Sequence, residues 1–71
     1  MSEITAEMAA SVWKIEKAVG DRVEVGDTIM ILESMKMEIP VDAEETGTIV
    51  EIPVAEGDSI GLDDILVKLS D

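Results

Sequence analysis

Two halves of this sequence repeat each other. Ser11–Leu32 aligns with Thr48–Leu69 at a constant offset of 37 residues, and Gly20-Asp21 falls on Gly57-Asp58. The other matched positions are identical or apolar in both copies: Ile15/Ile52, Ala18/Ala55, Asp27/Asp64, Leu32/Leu69, Val12/Ile49, Val23/Ile60, Val25/Leu62 and Ile29/Leu66. A two-copy repeat in so short a chain implies two similar half-domains, neither of which closes a core alone. We therefore interpret residues 1–71 as one domain, with half-repeats at about 11–32 and 48–69.

Apolar and polar residues alternate in several segments. The apolar positions that this pattern places on one face are Trp13, Ile15, Met37, Ile39, Val41, Val50, Ile52 and Val54. A period of two predicts strands, and glycine- and aspartate-rich turn signals at short intervals predict that they are short. Pro40 and Pro53 fall inside strand-like runs and are expected at an edge or bulge, because proline cannot donate to a ladder. The sequence thus predicts an all-β sandwich or barrel, with Trp13 partly in its core.

The segment that joins the two copies is predicted to be a hairpin. Its strands would be Thr28–Glu33 and Met37–Asp42, with residues 33–38 at the turn and Lys36 at the tip. The pseudo-symmetry puts the chain ends at the opposite end of the sandwich. Lys36 is therefore expected to protrude at the pole farthest from the termini.

The charge balance excludes some classes of partner. Seventeen acidic residues against five basic ones give a net charge of −12. Nucleic acid and anionic membrane surfaces both require clustered Lys and Arg, so neither is an expected partner. Strong self-repulsion favours a monomer that docks briefly on larger proteins. No signal peptide or membrane-spanning run is visible, and we expect a cytoplasmic location.

The sequence is also poor in catalytic side chains. It contains no histidine and no cysteine, so the usual nucleophile–base pairs and soft metal ligands are missing. No spaced carboxylate loop for a hard cation is present either. We expect no metal site, and we do not expect the chain to be an enzyme by itself.

Lys36 stands in a symmetrical frame, "ESMKME", with Met35 and Met37 beside it and Glu33 and Glu38 farther out. A free lysine amine is almost wholly protonated at neutral pH, and negative neighbours favour the ammonium form. Such a lysine suits a target of a modifying enzyme better than a catalyst. Flexible, polarizable methionines often serve at contact surfaces. The alternative is a solvated turn lysine with the methionines capping the sandwich.

Almost the whole chain resembles the biotinyl/lipoyl carrier domains, most closely the small free-standing biotinylated proteins. "ESMKMEIPV" (Glu33 to Val41) resembles the biotin attachment signature, in which Met-Lys-Met follows Ala or Ser, and "AEETGTIVEIPVAEGDSI" resembles the segment that comes next. The resemblance implies a flattened β-barrel of two four-stranded antiparallel sheets with quasi-two-fold symmetry, a barrel-sandwich hybrid. It also implies that a biotin protein ligase uses ATP to join biotin to Lys36. Met35 and Met37 would be recognition flanks, within a wider motif that includes Glu33 and Glu38.

The function implied by this resemblance is that of a biotin carboxyl carrier. It would take a carboxyl group from a biotin carboxylase to a carboxyltransferase that acts on an acyl-CoA or a 2-oxo acid. The sequence departs from the family in "MAAS" (Met8 to Ser11), where a proline and a glycine are usual. Asp63 also replaces the glycine that would match Gly26, and the "thumb" insertion of some bacterial carriers is absent.

Two alternatives remain open. A lipoyl carrier, or a protein that accepts either cofactor, would share this fold, although lipoyl domains usually have flanks like Asp-Lys-Ala. An unmodified interaction module would use the sandwich as a scaffold and would carry neither group.

Overall fold

The computed structural model describes residues 2–70, which form eight β-strands. These are β1 (Ser2–Thr5), β2 (Ala10–Ile15), β3 (Arg22–Val23), β4 (Thr28–Ser34), β5 (Met37–Asp42), β6 (Gly47–Glu51), β7 (Ser59–Ile60) and β8 (Ile65–Ser70). Across these residues there is no helix of the length and hydropathy needed to cross a membrane.

The strands form two four-stranded antiparallel sheets, in the orders β1-β8-β6-β3 and β5-β4-β2-β7. Each strand of one sheet has its counterpart, 37 residues away, at the same place in the other: β1/β5, β2/β6, β3/β7 and β4/β8. The prediction of an all-β fold with two quasi-equivalent sheets is confirmed. The structure also extends the repeat, since β1 and β5 lie outside the segments that the sequence alignment matched.

Backbone hydrogen bonds between the two halves of the chain repeat with the same symmetry. The Gly20 amide donates to the Ile49 carbonyl at 2.8 Å, and the Gly57 amide donates to the Val12 carbonyl at 2.7 Å. Each turn therefore bonds to a strand of the other half. This interlocking explains why neither half would be complete alone, because each leaves backbone groups that the other half satisfies.

The buried core consists of six repeat-related pairs. They are Ala6/Ala43, Val12/Ile49, Val23/Ile60, Ile29/Leu66, Met30/Val67 and Leu32/Leu69. In a domain of this size such a core is small, and its stability depends on complete apolar burial. No buried side-chain polar atom within residues 2–70 lacks a partner.

The prediction that Trp13 lies partly in the core is wrong, and Val50 does not share the core-facing side of Ile52 and Val54. Trp13 is 49% exposed and Val50 is 39% exposed. The pairing register shifts at both positions, between Val12 and Lys14 and between Ile49 and Glu51. A bulge inserts one extra residue and disrupts the alternation of faces, so a strict period of two gave the wrong face.

The expectation that both prolines lie at a strand edge or a bulge is met by Pro40 but not by Pro53. Pro40 is exposed in β5, an edge strand, which agrees with the expectation for a residue without an amide hydrogen. Pro53 is also exposed, but it follows the end of β6 at Glu51 and lies outside the strands. Ile52 and Val54, on either side of it, are half-buried and pack against the core.

Four turns share one aspartate-based structure. The Oδ2 atoms of Asp21, Asp27, Asp58 and Asp64 each accept a hydrogen bond from the backbone amide three residues earlier, at 2.7–2.9 Å. The residue before each aspartate has a positive φ: Gly20 (98°), Gly26 (94°), Gly57 (95°) and Asp63 (71°). The recurrent Gly-Asp pairs are thus structural, because glycine supplies the left-handed backbone and aspartate closes the turn.

Replacing Asp63 with glycine is expected to stabilise the protein. Asp63 occupies the left-handed position that its counterpart Gly26 fills without strain. We expect Asp63→Gly to raise the free energy of unfolding by about 0.5–1 kcal/mol, after allowance for the greater freedom of glycine in the unfolded chain. Urea unfolding followed by Trp13 fluorescence measures this change. The matched variant Gly26→Asp should lower stability, and an equal loss in both variants would contradict the explanation.

Candidate functional site

The hairpin that joins the two halves has a two-residue loop. Ser34 and Met37 form the last pair of the β4–β5 ladder, which leaves Met35 and Lys36 as the loop residues. Their φ values are 51° and 65°. Two successive positive φ values are typical of a type I′ turn, whose twist matches that of a hairpin. The strand β4 extends one residue beyond the predicted Glu33, so the turn is tighter than the sequence indicated.

This turn is strained, because neither loop residue is glycine or asparagine. A left-handed conformation costs an ordinary residue roughly 1–2 kcal/mol. The unbroken β4–β5 register from Met30 to Ser34 supports it. Backbone strain of this kind persists where surrounding structure imposes it, commonly at functional sites. The result is a lysine held at a defined point and not on a long mobile loop.

The side chains at the tip face solvent. Lys36 is exposed, Met35 is 91% exposed and Met37 is 65% exposed. The ion pairs found in the described part of the chain are Lys14–Glu16 and Lys68–Glu51, and neither includes Lys36. The alternative in which the methionines cap the sandwich does not agree with this exposure. The Lys36 amine is accessible to another protein.

Glu33 and Glu38 lie directly opposite each other, one pair below the end of the ladder, and both are exposed. Two carboxylates in directly opposed positions repel each other. The structure therefore brings the five residues singled out by the sequence to one end of one hairpin.

The described chain ends lie away from this tip. Ser2 shares a shallow depression with Glu44 and Glu45, which follow β5 at the end opposite to Lys36. Ser2 pairs with Leu69, so both ends of the described chain lie together. The molecule measures 34 × 17 × 17 Å. Lys36 and the described ends thus lie at opposite ends of the β4–β5 hairpin.

A cleft runs between the edge strands β1 and β5, which belong to different sheets. Its cavity volume is about 270 Å³, and it is lined by Ile4, Thr5, Ala6, Glu7, Met8, Leu32, Ile39, Pro40, Val41, Asp42, Glu44 and Leu66. Sequence reasoning missed it, because β1 and β5 are distant in the chain. Extending the repeat to residues 2–8 would have paired exposed Met8 with Glu45, a mismatch that marks this region. Among residues 2–70 no cluster of His, Cys, Asp and Glu forms a metal site.

Comparison with known proteins gives consistent matches. The family described as "Biotin-requiring enzyme" matches residues 1–69. A Biotin/lipoyl attachment protein of Bacillus subtilis (strain 168) is 42% identical over 67 residues, which cover 94% of this chain and 92% of that protein. The Biotinylated protein TB7.3 homolog of Mycobacterium leprae (strain TN) is 40% identical over 68 residues, which cover 96% of each chain.

A large enzyme contains a similar structure. The urea carboxylase of Kluyveromyces lactis superposes with a TM-score of 0.90 and 33% sequence identity. The match covers 97% of this chain but 6% of that chain. The same architecture therefore occurs both in proteins of about this length and as a small part of a large enzyme.

Proposed function

We propose, because this chain belongs to the family of biotin- and lipoyl-attachment domains, that Lys36 carries biotin and that the protein is a biotin carboxyl carrier. Domains of this family carry a covalently attached group and have no catalytic activity of their own. The observation that carries the proposal is the exposed Lys36 amine at the tip of a two-residue turn, between two exposed methionines. Residues 1–71 would be a single attachment domain, with the attachment hairpin at 33–38.

The chemistry at Lys36 is acylation. The neutral Nζ attacks the activated carbonyl carbon of biotin, the N–C bond forms, and the bond from that carbon to the activating group breaks with its electron pair. Nζ loses a proton to complete the amide. A biotin protein ligase would supply the ATP-driven activation of biotin and the base that removes the Nζ proton.

Biotin held on Lys36 would supply the reactive chemistry, which is the transfer of a carboxyl group. The residues of this chain position it. The strained Met35-Lys36 turn at the end of the β4–β5 ladder holds the point of attachment, while the flexible four-carbon stem of the lysine lets the attached group move. A tether raises the effective concentration of its cargo at two sites in turn. The proposed partners are a biotin carboxylase and a carboxyltransferase, with an acyl-CoA or a 2-oxo acid as acceptor.

The small size of the two curated relatives supports a separate carrier chain. The net charge of −12 opposes self-association and supports a monomer that docks briefly on each partner. The cytoplasm is the proposed location.

Lipoate is the second candidate. The name of the Bacillus subtilis relative includes both cofactors, and a lipoyl amide would form on the same amine. We favour biotin because Met35 and Met37 resemble the flanks of the biotin signature.

Intact mass spectrometry tests the choice of cofactor. The protein should be produced in cells that contain biotin protein ligase, lipoate ligase and both vitamins. We expect a mass increase equal to one biotinyl group on the single chain. A lipoyl-sized increase without biotin would establish the alternative carrier, and an unmodified mass would support the interaction module.

A further inference from the structure

The two ends of the molecule have equivalent backbones but different side chains. The half of the β1–β5 cleft that lies at the lysine end is called the tip-side groove. It is lined by Glu7, Met8, Leu32, Ile39 and Pro40. At the far end, the repeat counterparts of Met8 and Ile39 are Glu45 and Ser2. The cleft that contains the tip-side groove has a volume of about 270 Å³, whereas the depression at the far end has about 40 Å³.

We propose that the tip-side groove is a docking surface for the ligase that acylates Lys36, and that it receives an apolar side chain from a basic segment of that enzyme. The inference rests on the proposed function and adds a specificity surface to it. Fold symmetry alone would make the two ends alike. The departure from symmetry occurs beside the lysine, where a partner has to approach.

The reach of the lysine selects the ligase as the occupant. The Lys36 side chain extends roughly 6 Å from the backbone, so an enzyme that acts on the bare amine must come into contact with the domain. Ile39 is three residues along an extended strand, or roughly 10 Å from Lys36. A standard interface buries about 800 Å² per partner, which is wide enough to include this groove. Enzymes that use the longer, acylated arm have less need of such close approach.

The lysine end is rich in exposed apolar groups. Met8 is 47% exposed, and Met35 and Met37 are more exposed still, while Met30 is fully buried. Met37 and Ile39 share one face of β5, since they are two residues apart on a strand. They lead from the tip toward the groove. Methionines suit adaptable contact surfaces, and an exposed apolar patch beside a site of action indicates an interaction site.

The charges around the cleft indicate the charge of the partner surface. Residues 2–13 and 37–50 contain no lysine or arginine. Glu7, Asp42 and Glu44 are among the residues that line the cleft. Complementary potentials steer association and suppress wrong partners. The complementary surface on the ligase is therefore basic, around an apolar side chain.

Substitution by the counterpart from the other half tests the groove. Met8→Glu makes the lysine end like the far end, and Glu45→Met is the matched control. We expect Met8→Glu to raise the KM of purified biotin protein ligase for the domain about tenfold, with biotin and ATP saturating, and to leave kcat unchanged. Glu45→Met should leave both constants unchanged. An unaltered KM for Met8→Glu, in protein with the wild-type urea midpoint, would overturn the proposal.

A charge-reversal pair provides a second measurement if Met8→Glu folds poorly. Glu7→Lys and Glu45→Lys change the net charge equally, but Glu45 lies at the far end of the molecule, outside the cleft that contains the groove. We expect a higher KM, with a weaker dependence on salt, for Glu7→Lys and a much smaller change for Glu45→Lys. Equal changes in both would show nonspecific attraction and would overturn the groove as a site. Unmodified wild-type protein would instead refute the proposed function, and the groove proposal with it.

Discussion

Lys36→Arg is expected to abolish covalent biotin entirely. Arginine keeps the positive charge at the tip, but its guanidinium stays protonated and does not act as an acyl acceptor. Because the proposed attachment depends on one nucleophilic nitrogen, the loss should be complete and not graded. Co-expression with a biotin ligase, followed by intact mass measurement and a streptavidin gel shift, gives the fraction modified. The fold should be unchanged, since Lys36 is exposed.

Lys14→Arg is the matched control for this experiment. Lys14 is a lysine within β2, and its Nζ lies 3.7 Å from the Glu16 carboxylate. Its replacement should leave the fraction modified at the wild-type level. Biotin on the Lys36→Arg protein would show that the attachment site is another residue, and the proposed role of the hairpin would be withdrawn.

Gly47→Ala is expected to produce the largest loss of stability among the variants considered. A Cβ at Gly47 would lie 2.6 Å from the carbonyl oxygen of Ser70 and 3.6 Å from the Cβ of Leu69. The obstacle is a backbone atom of β8, which cannot rotate away. Overpacking of this kind costs about 1–3 kcal/mol. At about 2 kcal/mol, the melting temperature would fall by roughly 8–16 °C for a domain of this size.

Two further variants separate steric from conformational effects. Gly47 does not have a positive φ, so its requirement for glycine is steric. Gly20 has a φ of 98° and open space around it, so Gly20→Ala tests backbone strain alone. Ala10→Gly, at the repeat counterpart of Gly47, should cost about 0.5–1 kcal/mol through chain entropy. A Gly47→Ala protein as stable as Ala10→Gly would show that β8 moves aside freely.

The local pattern was sufficient to predict an all-β fold, the repeat and the hairpin. Gly20-Asp21 and Gly57-Asp58 mark turns in any context, because glycine adopts a positive φ and aspartate closes the turn. The "SMKM" segment could be placed at a turn because it joins the two copies. These predictions depend on neighbours in the sequence, and such neighbours are known before the chain folds.

The local pattern failed where a second strand sets the register. Trp13 and Val50 fit a simple alternation, yet the shifts in the β2–β4 and β6–β8 ladders leave both exposed. A bulge is fixed by the strand that pairs with it, which lies elsewhere in the sequence. The same reason explains Gly47, whose need for glycine comes from Ser70 in a neighbouring strand.

The proposed docking surface also combines features set by neighbours in the sequence with features set by distant strands. Met35, Lys36 and Met37 are adjacent in sequence, and their motif was visible there. Met8, which follows β1, and Ile39 in β5 line one cleft because β1 and β5 are facing edges of two different sheets. Their separation in the chain hides this proximity from any local pattern.

The amino-acid sequence alone was enough to establish a two-fold repeated β domain with one lysine at a turn, because periodicity and turn chemistry act between near neighbours. Folding in three dimensions decided which faces are exposed, how tightly the turn closes, and which side chains surround the lysine. Those features arise from pairing and packing between strands that are far apart in the chain. They are stabilised only when the two halves pack together.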